Sequence, residues 1–185
     1  MKYADDIQLD IVDVSEINEE ELKGFSCGND ELDRFLHDEA KESSAKTCLF
    51  IDTEEKKIVA YTSIACSAIM YAVEDDECVL LAPDRFSLAP AIEIKYFAVH
   101  EDYKHLRYSD APSSSLTLSC NLFRYIVQHV RDIASNHVGA EYIVLYSVPK
   151  AISFYKRNLF NLFEDDMVRN ADPYLESCQP MYMEI

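Results

Sequence analysis

Four cations, Lys104, Arg107, Arg124 and Arg131, fall between Tyr103 and Arg131 with Asp110 as the only acid among them. That stretch therefore carries +3 in a chain of net charge −17, which leaves −20 on the rest. Guanidinium and ammonium groups form charge-assisted hydrogen bonds to phosphate oxygens, so the chemistry on offer is local anion binding. Lys104 and Arg107 lie in a polar loop, HEDYKHLRYSDAP, between a strand, PAIEIKYFAV, and a long amphipathic helix, SSSLTLSCNLFRYIVQHVR. A strand that feeds through a loop into a helix aims the helix's unpaired N–H groups and positive dipole end at an anion. Ser113, Ser114 and Ser115 stand where capping hydroxyls are expected to point at the same anion.

Other residue types offer less. His100 and His105 flank the loop, but no Cys/His spacing suits zinc and no carboxylate cluster suits a divalent ion, so no metal is expected. The six cysteines include no CxxC pair, and several sit in apolar runs, as reduced thiols of a cytoplasmic protein would. Cys27 has no placed base beside it and reads as structural.

The elements that must position these residues follow from periodicity. Ile7 to Val14 alternates apolar and polar residues as a half-buried strand does. FSCGNDELDRFLHDEAKESS predicts a helix capped by Asn29 or Asp30, with Leu32, Phe35 and Leu36 on one face. TCLFIDTE and KIVAYTSIACSAIMYAV, separated by a short polar turn, predict a hairpin. Glu74 to Pro90, acidic and holding Pro83 and Pro90, reads as a loop.

The strand Ala91 to Val99 then places Ile92, Ile94, Tyr96 and Ala98 on an apolar face, opposite Ala91, Glu93, Lys95, Phe97 and Val99. The following helix repeats apolar groups at Leu116, Cys120, Phe123, Ile126 or Val127, Val130 and Ile133 or Ala134. Gly139 closes it. AEYIVLYSV reads as a central strand, PKAISFYKRN as a short helix opened by Pro149, and FNLFEDDMVR and PMYMEI as two final strands. This order predicts a mixed sheet carrying helices on both faces.

Length suits one domain, 1–185, with one core. The net charge of −17 disfavours nucleic acid and anionic membranes as partners, since both reward Lys and Arg, and permits amines or lysine-rich peptides instead. MKYADDIQLD lacks the apolar region of a signal peptide. Ile58 to Val73, the longest apolar run, is broken by Thr62, Ser63 and Ser67 and falls short of the roughly 20 residues that span a bilayer. A cytoplasmic location is expected.

Taken in order, AIEIKYFAV, the helix after it, PKAISFYKRNLF and the early FSCGNDELDRFL resemble motifs of the GCN5-related N-acetyltransferase (GNAT) superfamily. The last is similar to the F-x-C-G-N-x-x-L-D-x-F-L opening of a bacterial subgroup that includes toxin acetyltransferases. The resemblance covers essentially the whole chain and implies a single-domain GNAT-like α/β (α+β) fold, with a mixed, mostly antiparallel, twisted sheet of about six to seven strands. It implies acetyl-CoA as co-substrate and transfer of its acetyl group to an amine of a small molecule or peptide. A non-catalytic acyl-CoA-sensing or interaction module, or a toxin that acetylates aminoacyl-tRNA, remains the alternative; oligomeric state, a homodimer included, stays open.

By the same resemblance, AIEIKYFAV would pair with the pantetheine arm, and a backbone N–H of its end, Phe97, Ala98 or Val99, would meet the oxyanion of the bound thioester. Lys104, His105, Arg107, Ser113, Ser114 and Ser115 would face the diphosphate. Glu93 would match the general base and Tyr155 the general acid. The family's diphosphate loop reads Gln/Arg-x-x-Gly-x-Gly/Ala, whereas Lys104 to Ser109 contains no glycine; the chain's glycines are Gly24, Gly28 and Gly139. Side chains are therefore expected to do part of the work that backbone amides do elsewhere.

Overall fold

Alternation near the start yields β1 (Leu9–Asp13), trimmed at each end by 3-10 turns at Ala4–Asp6 and Val14–Glu16. The structure, a computed structural model, describes residues 3–72, 86–109, 116–169 and 172–185. α1 (Glu19–Lys23) is capped by Asn18, and α2 (Asp30–Arg34) by Asn29 rather than Asp30, the Asn29 side chain accepting from the N–H groups of Glu31 and Leu32. One π-helical turn, Phe35–Glu39, prolongs α2 and buries Phe35 and Leu36. The expected hairpin is β2 (Lys46–Asp52) and β3 (Lys57–Ala72).

β4 (Phe86–Val99) starts earlier than its apolar pattern suggested. Phe86 to Pro90, expected as the end of an acidic, proline-bearing loop, belongs to the strand although Pro90 has no N–H to give. Its carbonyl nevertheless accepts the Glu141 N–H at 2.9 Å, so the proline is accommodated. The remainder of the expected loop, 73–85, lies outside the described residues. α3 (Leu118–Ile133) runs into a π-helical turn, Ala134–Val138, and ends at Gly139, whose φ of 59° is the left-handed geometry that glycine adopts without strain. Then come β5 (Tyr142–Ser147), α4 (Ile152–Arg157) behind a 3-10 turn opened by Pro149, β6 (Asn161–Leu162), β7 (Met167–Val168) and β8 (Gln179–Glu184).

These strands make an eight-stranded sheet in the order β1-β2-β3-β4-β5-β8-β6, with β7 on β3. Two fewer strands were expected at most, because FNLFEDDMVR splits: β6 pairs with β8, and β7 with Met70 and Tyr71 of β3. Every pairing whose register is defined is antiparallel except β4 with β5, which is parallel over three pairs and ends at Glu93↔Val144.

The chain forms two compact units, and β3, β4 and α3 run through both. The first, Met1–Ala65 with Ile94–Val127, has a core of Val14, Leu22, Phe25, Phe35, Leu36, Leu49, Ile58, Tyr61 and Ala98. The second, Cys66–Glu93 with Gln128–Ile185, centres on Ile69, Ala91, Val144 and Tyr182. The α3 stripe is buried at Leu118, Leu122, Phe123, Ile126, Val127 and Val130. Leu116 and Cys120, expected within it, are only half-buried: Leu116 precedes the helix, and Leu118 and Leu122 take the buried positions of the first turns.

Phe123 is fully buried, with its ring 5.3 Å from that of Phe97 on β4. Phe123→Ala should cost about 3–5 kcal/mol, the usual loss for emptying an aromatic site. A urea titration would register this as a lower midpoint, and an unchanged midpoint would mean that α3 does not depend on this contact.

Candidate functional site

The loop that follows β4 carries the candidate cations, and it is closed upon itself. His100 N–H donates to Val59 O at 2.8 Å; Tyr103 and Lys104 N–H groups both donate to His100 O, and Leu106 N–H to Tyr103 O. Positive φ among non-glycine residues occurs only at Lys56 and Leu159 of the described chain, so no loop residue from 100 to 109 turns left-handed. A concave nest of amides of the kind that glycine loops offer to phosphate is therefore not built here.

The loop is also held from outside, by four segments of the first unit. Ala4 N–H donates to Arg107 O at 2.9 Å, and Ser109 N–H to the Asp5 carboxylate at 2.6 Å, which holds that carboxyl below its ordinary range. Glu101 N–H donates to Ser26 O, and the Phe25 ring meets His100 edge-on at 5.6 Å. A Cβ on Gly28, whose φ is 75°, would lie 3.9 Å from Lys104 Nζ. The FSCGN opening thus backs the loop directly, and it is itself fixed by Asp33, which accepts from Cys27 N–H and the Ser26 hydroxyl.

The third segment is α3. Leu118 N–H donates to Leu106 O, the Ser119 hydroxyl to Lys104 O at 3.0 Å, and Asn121 Nδ2 to the Tyr108 hydroxyl. Thr117, bridged to Arg107, is the helix cap: its Oγ1 accepts the Cys120 N–H at 3.3 Å. Ser113, Ser114 and Ser115, expected in that role, lie outside the described residues. The fourth is the β2–β3 turn, whose Asp52 and Glu55 accept from Tyr103 and whose Lys57 pairs with Asp102 at 2.5 Å.

The expected site residues distribute unevenly. Lys104 is half-buried, while His105 and Arg107 are exposed. Ala98 and Val99 are buried on β4 and Phe97 is half-buried against Phe123. Arg131, counted with the cations of this stretch, belongs to the second unit and reaches Met183 Sδ and Glu184 O, each at 3.4 Å. In that same unit Glu93 is half-buried at the last parallel pair of β4 with β5. Tyr155, also half-buried, sits between the rings of Phe154 and Phe160 at 5.2 and 6.2 Å. Desolvation, with a smaller contribution from Cys178, pushes its phenol up to about 12. It is therefore fully protonated at neutral pH. An open groove of about 660 Å³ begins at the next residue, lined by Lys156, Phe160, Asn161, Leu162, Glu164 and Tyr182.

No protein-family model and no curated protein matches the sequence. Solved structures do. The complex AtaTR bound with AcCoA matches with a TM-score of 0.68 at 15% identity, over 95% of this chain and 93% of that one. AtaT complexed with acetyl-methionyl-tRNAfMet matches with 0.65 at 16% identity, over 96% and 95%. A tyrosine-to-phenylalanine mutant of the toxin AtaT, bound to acetyl-CoA and the C-terminus of the antitoxin AtaR, matches with 0.62 at 14% identity, over 95% and 92%. The chain has the GNAT-like fold of these toxins.

Within the GNAT-like fold, Tyr103, Asp52 and Glu55 are residues that sequence reasoning missed, because Tyr103 meets the other two across 51 and 48 positions and no local spacing marks the contact. Thr117 was missed as well, although its bond to Cys120 three residues on is an ordinary capping spacing. Among the described residues no cluster of His, Cys, Asp or Glu is placed to hold a metal, and no helix is long and apolar enough to cross a membrane. The five described cysteines, Cys27, Cys48, Cys66, Cys120 and Cys178, are free thiols, and burial pushes the Cys27 thiol up to about 12, which suits a structural residue and not a nucleophile.

His100 supplies a pH test of the loop. It is 5% exposed, its Nδ1 accepts the Asp102 N–H at 3.2 Å, and burial lowers its pKa below 6.5, with Lys57 adding to the effect. The unfolded chain then binds more protons than the folded one as pH falls past about 6.5, so stability drops on acidification. Wild type should lose more stability between pH 7.5 and 5 than His100→Asn, whose Oδ1 can still accept the Asp102 N–H. Parallel denaturation curves for the two proteins across that range would contradict a buried neutral imidazole.

Proposed function

We propose that this chain is a single-domain, cytoplasmic, acetyl-CoA-dependent N-acetyltransferase whose acceptor is the α-amino group of an aminoacyl-tRNA. The observation that carries this is the fold: along nearly its whole length the chain resembles AtaT, a toxin captured with acetyl-methionyl-tRNAfMet. A small-molecule or peptide amine was the acceptor favoured by composition, on the ground that a −17 chain repels polyanions. That objection weakens once cations are counted by segment. Residues 142–163 contain Lys150, Lys156 and Arg157 and no acid, and all three cations are exposed. The groove beside Lys156 would take the acceptor's end, with these side chains meeting its phosphates.

In the reaction, the neutral amine attacks the thioester carbonyl, a C–N bond forms, and the C–S bond breaks as the tetrahedral intermediate collapses. Glu93, directly or through water, would take the amine proton. Backbone N–H groups between Phe97 and Val99 would meet the oxyanion, and the same stretch of β4 would pair with the pantetheine arm. Lys104 and Arg107 would neutralise the diphosphate, with His105 at the same exposed edge. Tyr155 would serve the departing sulfur. Complete transfer from a phenol at about 12 to a thiolate whose conjugate acid titrates near ~8.5 runs uphill, so its best contribution is a hydrogen bond that strengthens as the C–S bond breaks.

A second reading, a non-catalytic acyl-CoA-sensing module, is favoured by the glycine-free loop, in which the amides of Tyr103, Lys104 and Leu106 are already bonded within the loop and that of Ser109 to Asp5. By the same likeness to AtaT, a protein partner of antitoxin type would bind the toxin reading's enzyme, and the acidic surface suits a basic segment.

Purified protein should consume acetyl-CoA with charged tRNA and leave free amines and peptides largely unmodified. Tyr155→Phe should lower kcat by about 10²-fold or more while acetyl-CoA affinity stays within twofold. Coenzyme binding with no transfer to any of the three acceptor classes would favour the sensor, and transfer to amines alone would restore the small-molecule reading.

A further inference from the structure

Tyr103 sits where the loop after β4 meets the β2–β3 turn. It is 2% exposed, and the single proton of its hydroxyl is shared between Glu55 Oε2 at 3.0 Å and Asp52 Oδ2 at 3.3 Å. Asp52, 1% exposed, turns its other oxygen inward to accept the N–H groups of Glu54 and Glu55, and its carbonyl accepts the Lys56 N–H at 2.8 Å. The turn is thus closed around Asp52, with one carboxylate oxygen left to meet the phenol. Lys57 completes the grip: its Nζ lies 5.9 Å from the centre of the Tyr103 ring and binds Asp102.

On the far side, the Tyr103 ring meets His100 edge-on at 5.9 Å. Lys104, the next residue, has its N–H on His100 O and its carbonyl on the Ser119 hydroxyl. A phenol flanked by two carboxylates keeps its proton, since ionising it would gather three negative charges in a desolvated place; burial and Glu55 both push it well above its ordinary range. It is therefore a permanent donor, and its position fixes the backbone one residue before the first candidate coenzyme cation.

We propose that Tyr103 is a positioning residue for the coenzyme: bound to Asp52 and Glu55, its hydroxyl holds the loop bearing Lys104 and Arg107 in one conformation. This rests on the acetyl-CoA reading given above. A loop that wraps phosphate with its own amides is organised by the ligand. This loop offers side chains instead, and long side chains bind well only when their stems start from a fixed place.

Tyr103→Phe removes one oxygen and keeps the ring. Calorimetry with acetyl-CoA should show Kd raised about tenfold, with KM following and kcat within twofold, as expected for losing a hydrogen bond to charged acceptors. Glu55→Gln retains an accepting oxygen and should stay within threefold of wild type. Tyr61→Phe cuts another buried phenol's hydrogen bond, to Leu32 O at 2.8 Å in the core of the first unit, and should leave coenzyme affinity unchanged. In ligand-free protein, amide exchange at Lys104 and Leu106 should accelerate in Tyr103→Phe and not in Tyr61→Phe. Unchanged affinity and exchange in Tyr103→Phe, or equal losses in Tyr61→Phe, would overturn the proposal. If wild type fails to bind acetyl-CoA, the enzymatic reading falls by itself, and the exchange rates still decide whether the phenol holds the loop.

Discussion

Between His100 and Thr117 the chain contains no glycine, and that constraint shapes the first unit. A backbone kept out of the left-handed region has no cheap way to turn successive amides toward a common centre. The amides of Tyr103, Lys104 and Leu106 instead close short turns on His100 and Tyr103, and those of Ser109 and Leu118 find acceptors in Asp5 and Leu106. What remains to meet an anion is side-chain charge. Cations on flexible stems lose more entropy on binding than fixed amides do, so the scaffold beneath them has to be stiff. The surroundings of the loop meet that need: the N-terminal turn, the FSCGN segment, the β2–β3 turn and α3 each hold it at a different point.

Overall charge works against the same task. At −17 the chain repels phosphate at long range, but screening confines that repulsion to roughly 8 Å at physiological salt, and a few cations close together in sequence dominate within that distance. Lys104 and Arg107 in one unit, and Lys150, Lys156 and Arg157 in the other, are cations of this local kind. Arg131 is not, because the C-terminal strand engages it through Met183 and Glu184. Net charge therefore does not by itself decide whether phosphate can be met locally; the distribution of charge along the chain does.

Periodicity made most of the fold legible. The hairpin, the long strand β4, the amphipathic α3 with its glycine stop and the apolar β5 each obey a rule with a short range along the chain. The misreadings have equally local causes. Phe86 to Pro90 looked like loop because a missing donor is visible in sequence and an accepting carbonyl is not. FNLFEDDMVR looked like one strand because nothing in its composition says that its two halves pair with different neighbours. At the described start of α3 the Thr117 hydroxyl accepts the Cys120 N–H, a capping bond that a run of three preceding serines hid from view in the sequence. In the site, Lys104, Arg107, Glu93 and Tyr155 came from charge pattern and resemblance, whereas Tyr103, Asp52 and Glu55 depend on partners some fifty positions away.

That separation also explains why the opening motif is where it is. Phe25, Ser26 and Gly28 make their contacts with His100, Glu101 and Lys104, across more than seventy residues of intervening chain. Gly28 is needed for its backbone: its φ of 75° is strained for any other residue, whereas a Cβ there would meet Lys104 Nζ at an ordinary contact distance of 3.9 Å. Asn29 and Asp33, which look like helix-capping residues, fix this segment so that it can serve as a backstop. Glycine that is absent from residues 104–109 is thus retained in the segment that backs them, where a left-handed turn is built.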